Sequence, residues 1–142
     1  MSQENVEIVR EVMALLALGR DPERAGRERT RRRLVELFAP DVHIDMSRRV
    51  FNPDTYDGHS GLRRLGREVR AVWDEFTIEP ERFASAGDRV VVIEKRRGRG
   101  RGSGAEVEQR SGVIWTVREG KIVRMETDLD PDDALKAVGL EE

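Results

Sequence analysis

The candidate chemistry in this chain lies with carboxylates, hydroxyls, amides and two imidazoles, and its 142 residues include no cysteine. Thiolate nucleophiles, disulfides and thiolate zinc sites are excluded. His43 and His59 are the only histidines, so a His-rich metal site is excluded too. No carboxylate motif with metal-loop spacing is present, and the expectation is a site without metal or cofactor. Two residues are catalytic candidates. Glu94 shares strand parity with Val90 and Val92, whereas Lys95 shares it with Val91 and Ile93. A Glu buried among valines has a raised pKa and can shuttle protons. The alternative, which the hairpin charges favour, is an outward ion pair between Glu94 and Arg110. His59, with an ordinary pKa near ~6.5, could act as a base at a loop entering a helix. Its alternative is a solvent-facing turn residue.

Candidate ligand contacts fall into three kinds. Gln109, Ser111 and Thr127 are polar groups on otherwise apolar strand faces, able to orient a carbonyl or hydroxyl. Their alternative is hydrogen bonding to one another, to backbone or to water. Trp73 and Trp115 could form an aromatic wall, with core packing the bland reading for both, and Tyr56 lies with His59 at the loop entering the third helix, near the mouth of a pocket. Val113 and Met125 would supply the apolar surface beside them.

The elements that must position these groups follow from periodicity. Val6, Val9, Val12 or Met13, and Leu16 recur at helical spacing. Gly19 stops that helix, and Asp21-Pro22-Glu23 restarts one, with Asp as cap and Pro at the first position. The second helix runs to Phe38 and ends at Ala39-Pro40-Asp41. Val42, Ile44 and Met46 alternate with His43 and Asp45 as a strand. Residues 48–60 read as a loop, with Ser60 capping a third helix whose stripe is Leu62, Leu65, Val69, Val72 and Trp73. Strands are expected at 76–86, 90–97, 106–117 and 121–129. Gly87-Asp88, residues 98–104 and Glu119-Gly120 are the connections. Asp130-Pro131-Asp132-Asp133 opens a terminal helix and Gly139 closes it. Strand parity then turns Val107, Gln109, Ser111, Val113, Trp115 and Val117 inward. It also turns Val123, Met125, Thr127 and Leu129 inward, and Arg124, Glu126 and Asp128 outward. Helices followed by consecutive hairpins mean α+β, with the helices on one face of a curved sheet and a hollow at one end.

The totals suit one domain over residues 1–142. A charged fraction of 38% gives a heavily solvated surface, and a net charge of −2 gives no bulk attraction to nucleic acid or anionic lipid. No apolar run approaches the roughly 20 residues that cross a bilayer, and the acidic, amphipathic start is not a signal peptide. A cytoplasmic location is expected. The run Arg96-Arg97-Gly98-Arg99-Gly100-Arg101-Gly102 is like an RNA-binding segment. It lacks interleaved aromatics, so a mobile solvated hairpin is favoured and nucleic acid is not the expected partner.

Several segments together resemble the SnoaL-like domains of the nuclear transport factor 2-like superfamily. They are Phe38-Ala39-Pro40-Asp41-Val42, Tyr56-Asp57-Gly58-His59-Ser60-Gly61, Ala86-Gly87-Asp88-Arg89-Val90-Val91-Val92 and Trp115-Thr116-Val117-Arg118-Glu119-Gly120-Lys121-Ile122-Val123. The closing Asp130 to Gly139 fits the same order, so the resemblance spans the whole chain. It implies a cone-shaped, cystatin-like α+β barrel with N-terminal helices packed on a curved, mostly antiparallel sheet. It also implies a homodimer through the sheet. The superfamily holds polyketide cyclases, ketosteroid isomerases, hydrolases and non-catalytic modules, so fold does not settle function. The isomerase donor and base positions match Val12, Val113 and Met46, which argues against steroid isomerisation. The acid/base Asp of the cyclases matches Thr127. Gln109 and Ser111 match polar substrate-binding positions. The resulting expectation is a binder of a hydrophobic small molecule, either a cofactor-independent isomerase, cyclase or hydrolase, or a non-catalytic ligand-binding or assembly module.

Overall fold

The computed structural model describes residues 2–18, 24–49 and 52–140. Two helices come first, α1 (Ser2–Leu18) and α2 (Arg24–Leu37), then strands β1 (Phe38–Met46) and β2 (Asp54–Asp57), and helix α3 (Gly58–Val72). Four long strands follow: β3 (Trp73–Ala86), β4 (Arg89–Gly100), β5 (Glu106–Arg118) and β6 (Lys121–Leu129). Helix α4 (Pro131–Ala137) closes the chain. The six strands form one sheet in the order β2-β1-β6-β5-β4-β3. Only β1 and β6 run parallel; every other neighbouring pair is antiparallel. This is the expected α+β cone. The stop at Gly19 and the restart at Asp21-Pro22-Glu23 lie outside the described residues.

Apolar stripes decide how the layers meet. Val6, Val9 and Val12 of α1 are buried against the concave side of the sheet, with Leu37, Leu65, Val92, Val113 and Trp115 in the same core. Full burial of one valine contributes about 1.5–3 kcal/mol, so this seam alone can hold α1 down. The sheet has a second apolar face, which corrects the expectation that the helices cover one side. Val91, Ile93 and Ile114 point away from α1 and pack against Ala134, Leu135 and Val138 of α4. Gly112 makes that contact close, because a Cβ there would sit 2.6 Å from the Ala134 Cβ. Asp130 caps α4 as expected, accepting from the Asp132 and Asp133 backbone N–H groups at 2.9 and 3.3 Å.

Several boundaries differ from the sequence expectation; β3 begins at Trp73, which was expected on the stripe of the third helix and instead pairs with Gly100. Strand β1 begins at Phe38, four residues before Val42, because Phe38 pairs with Ile122; an irregularity before His43 accommodates Pro40. The expected loop contains β2, which pairs with β1 through Ile44 and Tyr56. Helix α3 starts at Gly58 after Asp57, without a side-chain cap from Ser60. The glycine-rich connection shrinks to a turn at 101–103, because β4 stays paired as far as Gly100. Glycine is needed at Gly98, where the Trp73 ring lies 2.7 Å from a built Cβ.

Candidate functional site

Helices α1, α2 and α3 stand off the distal part of the curved sheet and leave a cavity of about 1500 Å³, open to solvent. Its walls are mostly carbon and aromatic. Trp115 and Met125 lie on the sheet side, Trp73, Phe76 and Phe83 along β3, and Leu62 on α3. Phe38 meets Trp115 at 6.5 Å between ring centres, and Trp73 meets Phe76 at 5.8 Å. The indole Nε1 of Trp115 is buried without a hydrogen-bond partner among the described residues.

On this apolar wall sits a charged triplet from two strands. Glu94, only 2% exposed, points inward with Val90 and Val92, which corrects the favoured outward pairing with Arg110. Arg110 instead stands opposite Lys95 and donates to Glu81 at 2.7 Å. Arg96 follows Glu94 by two residues and therefore shares its face. Its Nε donates to Glu94 Oε2 at 2.6 Å and its Nη1 to Asp128 Oδ1 at 2.8 Å. Its Nη2 also bonds Thr127 Oγ1, whose hydroxyl donates to Asp128 Oδ2 at 3.1 Å. Burial pushes the Glu94 carboxyl above the usual carboxylate range. The Arg96 charge and hydrogen bond oppose that rise, and the Asp128 charge adds to it.

Asp128 was expected to face outward, and a register change in β6 explains the difference. On β5 the step from Gly112 to Ile114 is two residues, whereas the opposing step on β6, from Leu129 to Glu126, is three. The extra residue is absorbed where Asp128 takes a φ of +63°. This is a β-bulge, and it re-aims the side chain beside it. Asp128 joins the cavity lining, and Leu129 moves to the α4 face. A second irregularity, between Thr116 and Val117 of β5, puts Ile122 in the inner core.

A second polar cluster closes another part of the wall. Tyr56 is fully buried; its hydroxyl donates to Glu68 Oε1 at 2.7 Å and accepts from Arg49 Nη2 at 2.9 Å. Burial first, then the bond to Glu68, raises the phenol pKa, with Arg49 opposing. Arg64 stacks on the same ring at 4.2 Å.

The structure separates the sequence candidates into two sets. Glu94, His59, Trp73, Gln109, Trp115 and Met125 line the cavity. Tyr56, Ser111, Val113 and Thr127 are fully buried and outside its lining. The His59 Nε2 lies 2.8 Å from the Phe38 carbonyl oxygen. A carbonyl can only accept, so that nitrogen carries the hydrogen. Arg96 and Asp128 were missed. The spacing of Glu94 and Arg96 was the available signal for the first; no local signal marks the bulge. Among the described residues no three His, Asp or Glu side chains cluster as a metal site requires, and no helix is long and apolar enough to cross a membrane.

The SnoaL-like domain profile matches residues 23–125, well over half of the chain. The chain belongs to the SnoaL-like domain family. Among solved structures, it is similar to a nuclear transport factor 2-like protein of unknown function from Burkholderia pseudomallei. That match has 23% identity and a TM-score of 0.70, covering 98% of this chain and 99% of that one. TerC, co-crystallised with polyporic acid, matches at 25% identity and a TM-score of 0.68, over 95% and 97%. The epoxide hydrolase/cyclase-like enzyme SalBIII, of pyran ring formation in salinomycin, matches at 24% identity and a TM-score of 0.63, over 88% and 89%. A search of curated proteins finds no significant relative. Of the residues the resemblance matched to steroid-isomerase positions, Val12 and Val113 are buried and Met46 lines the cavity. A last-strand carboxylate does line the cavity: Asp128, one residue beyond Thr127.

Proposed function

We propose that this SnoaL-like protein is a cofactor-independent acid–base enzyme of the isomerase, cyclase or hydrolase type, acting on a hydrophobic small molecule that carries oxygen functions. One observation carries the reading: the inward Glu94 and Asp128 carboxylates, bridged by Arg96 on the wall of a large apolar cavity. Two carboxylates in different surroundings can take opposite roles. Burial shifts Glu94 toward its protonated form, against the pull of Arg96, so of the two it is the better placed to donate to a substrate carbonyl, epoxide or leaving oxygen. Arg96 spreads the negative charge that develops on that oxygen. Asp128, whose Oδ1 lies 2.8 Å from Arg96 Nη1, accepts the proton released from carbon or from an attacking hydroxyl. Exchange with water through the open mouth resets both acids. Gln109 stands opposite Arg96 across the β4–β5 ladder and is placed to orient a second polar group.

A non-catalytic binding role has one observation of its own, the closure of Arg96 onto both carboxylates and Thr127. The RNA reading is disfavoured, because Arg97, Arg99 and Arg101 pair with Glu108, Glu75 and Asp74. Turnover separates the first two. The protein is incubated with hydrophobic epoxides, enones and polyporic acid, and products are followed by mass spectrometry. Glu94→Gln and Asp128→Asn are each expected to slow conversion by about 10²–10⁴-fold while probe binding persists. Binding without conversion would leave the binding module as the better description, and unchanged conversion in both variants would refute the roles given to Glu94 and Asp128.

A further inference from the structure

The charge around the cavity does not follow the charge of the chain. The protein carries a formal −2. Among the described residues, the cavity lining nevertheless holds nine arginines against three carboxylates. Some of these arginines have internal work. Arg96 serves Glu94 and Asp128, Arg49 serves Tyr56, and Arg97 pairs with Glu108 at 3.0 Å. Arg10 lies over the Phe83 ring at 4.1 Å. Four others, Arg31 on α2 and Arg63, Arg67 and Arg70 on α3, line the cavity with no salt bridge among the described residues. All four are exposed, so they stand at the rim and not in the depths.

The three on α3 are spaced i, i+4 and i+7, which puts them on one side of the helix. Like charges at that spacing destabilise a helix by a few tenths of a kcal/mol per pair. Leu62, Leu65 and Val69 of the same helix pack on the core, so the cations border the apolar opening directly. A rim of unpaired guanidiniums around a low-dielectric hollow focuses positive potential at the mouth. Guanidiniums also match planar oxyanions in geometry.

We propose that the ligand is an amphipathic organic anion: an apolar body inside the cavity, and a carboxylate, sulfonate or ionised enol held at the rim by Arg63, Arg67 and Arg70. This rests on the cavity being the ligand site, as proposed above, and adds the charge class of what enters it. A nucleic acid is the competing polyanion. It fits less well, because the rim cations border an apolar hollow that a phosphate chain would leave empty.

A matched probe pair tests it. Anilinonaphthalene sulfonate and N-phenylnaphthylamine share their aromatic body and differ in the anionic group, and both fluoresce on entering apolar sites. The wild-type protein is expected to bind the sulfonate at least tenfold more tightly than the neutral amine, with a preference that shrinks as salt screens the rim. The Arg63→Gln/Arg67→Gln/Arg70→Gln variant should lose about tenfold in sulfonate affinity and keep its affinity for the amine. These positions are exposed, and an unchanged circular dichroism melt confirms that the variant folds. Equal affinity for the two probes, equal losses in the variant, or displacement of the sulfonate by a short RNA with no charge preference between the small probes would overturn the inference. Binding of the neutral amine reports on the cavity itself. A failure of the charge argument is thereby distinguishable from a failure of the proposed site.

Discussion

Replacing Arg96 by glutamine should be among the most damaging single changes in this protein, and a second mutation at Glu94 should partly repair it. Arg96 is 14% exposed at its side chain, Glu94 2% and Asp128 5%. The guanidinium makes a 2.6 Å bond to one carboxylate and a 2.8 Å bond to the other, plus one to Thr127. Without it, two nearly buried carboxylates face each other with no cation between them. Breaking a buried pair in this way costs about 3–5 kcal/mol. For a chain of this size that lowers the melting temperature by roughly 10 °C or more. The sign of the pH dependence follows from Glu94. Its folded-state pKa is raised above the ordinary value of 4.5. The stability linked to its protonation is therefore complete below that value and is lost as pH rises through the folded-state pKa. Glu94→Gln mimics the protonated acid, so its stability relative to wild type should improve as pH increases from the acid side. The improvement should be larger when Arg96 is already glutamine, because the charge that favours ionised Glu94 is then gone. Urea denaturation of wild type, both single variants and the double variant, at acidic and neutral pH, measures each term. The reasoning fails if Arg96→Gln costs under about 1 kcal/mol, or if the double variant is no more stable than Arg96→Gln at neutral pH.

Two further perturbations probe the frame around the site. Gly112→Val should push α4 off the sheet, since even a Cβ meets Ala134 at 2.6 Å. A loss of about 1–3 kcal/mol is expected, with hydrogen exchange of 131–137 accelerating before that of β5. Tyr56→Phe removes a hydroxyl that serves both Glu68 and Arg49, and should cost about 1–3 kcal/mol in denaturant titration; a neutral result would mean that water replaces the phenol.

Local chemistry determined a large part of this molecule. The repeat of Val6, Val9 and Val12 specified a helix and its buried side. Asp130 with Pro131 specified where the last helix starts. Gly87 and Gly120, with φ of +62° and +76°, marked two turns between strands that alternation had already drawn. Alternation on β5 gave the inward side correctly from Val107 to Val117, because that strand's facing register with β4 runs unbroken. Segment order was enough to suggest the SnoaL-like cone. Tertiary structure alone decided the charged triplet. Parity propagates a side-chain direction along a strand only while each residue opposes one partner, and β6 breaks that condition twice. Whether a strand takes an extra residue depends on how the neighbouring strand and α4 pack, which no window of β6 encodes. The same is true of Glu94, whose face was open until the two sides of the sheet were covered by different helices. Inner packing left it on the cavity wall, and the bulge brought Asp128 round to meet the arginine beside it.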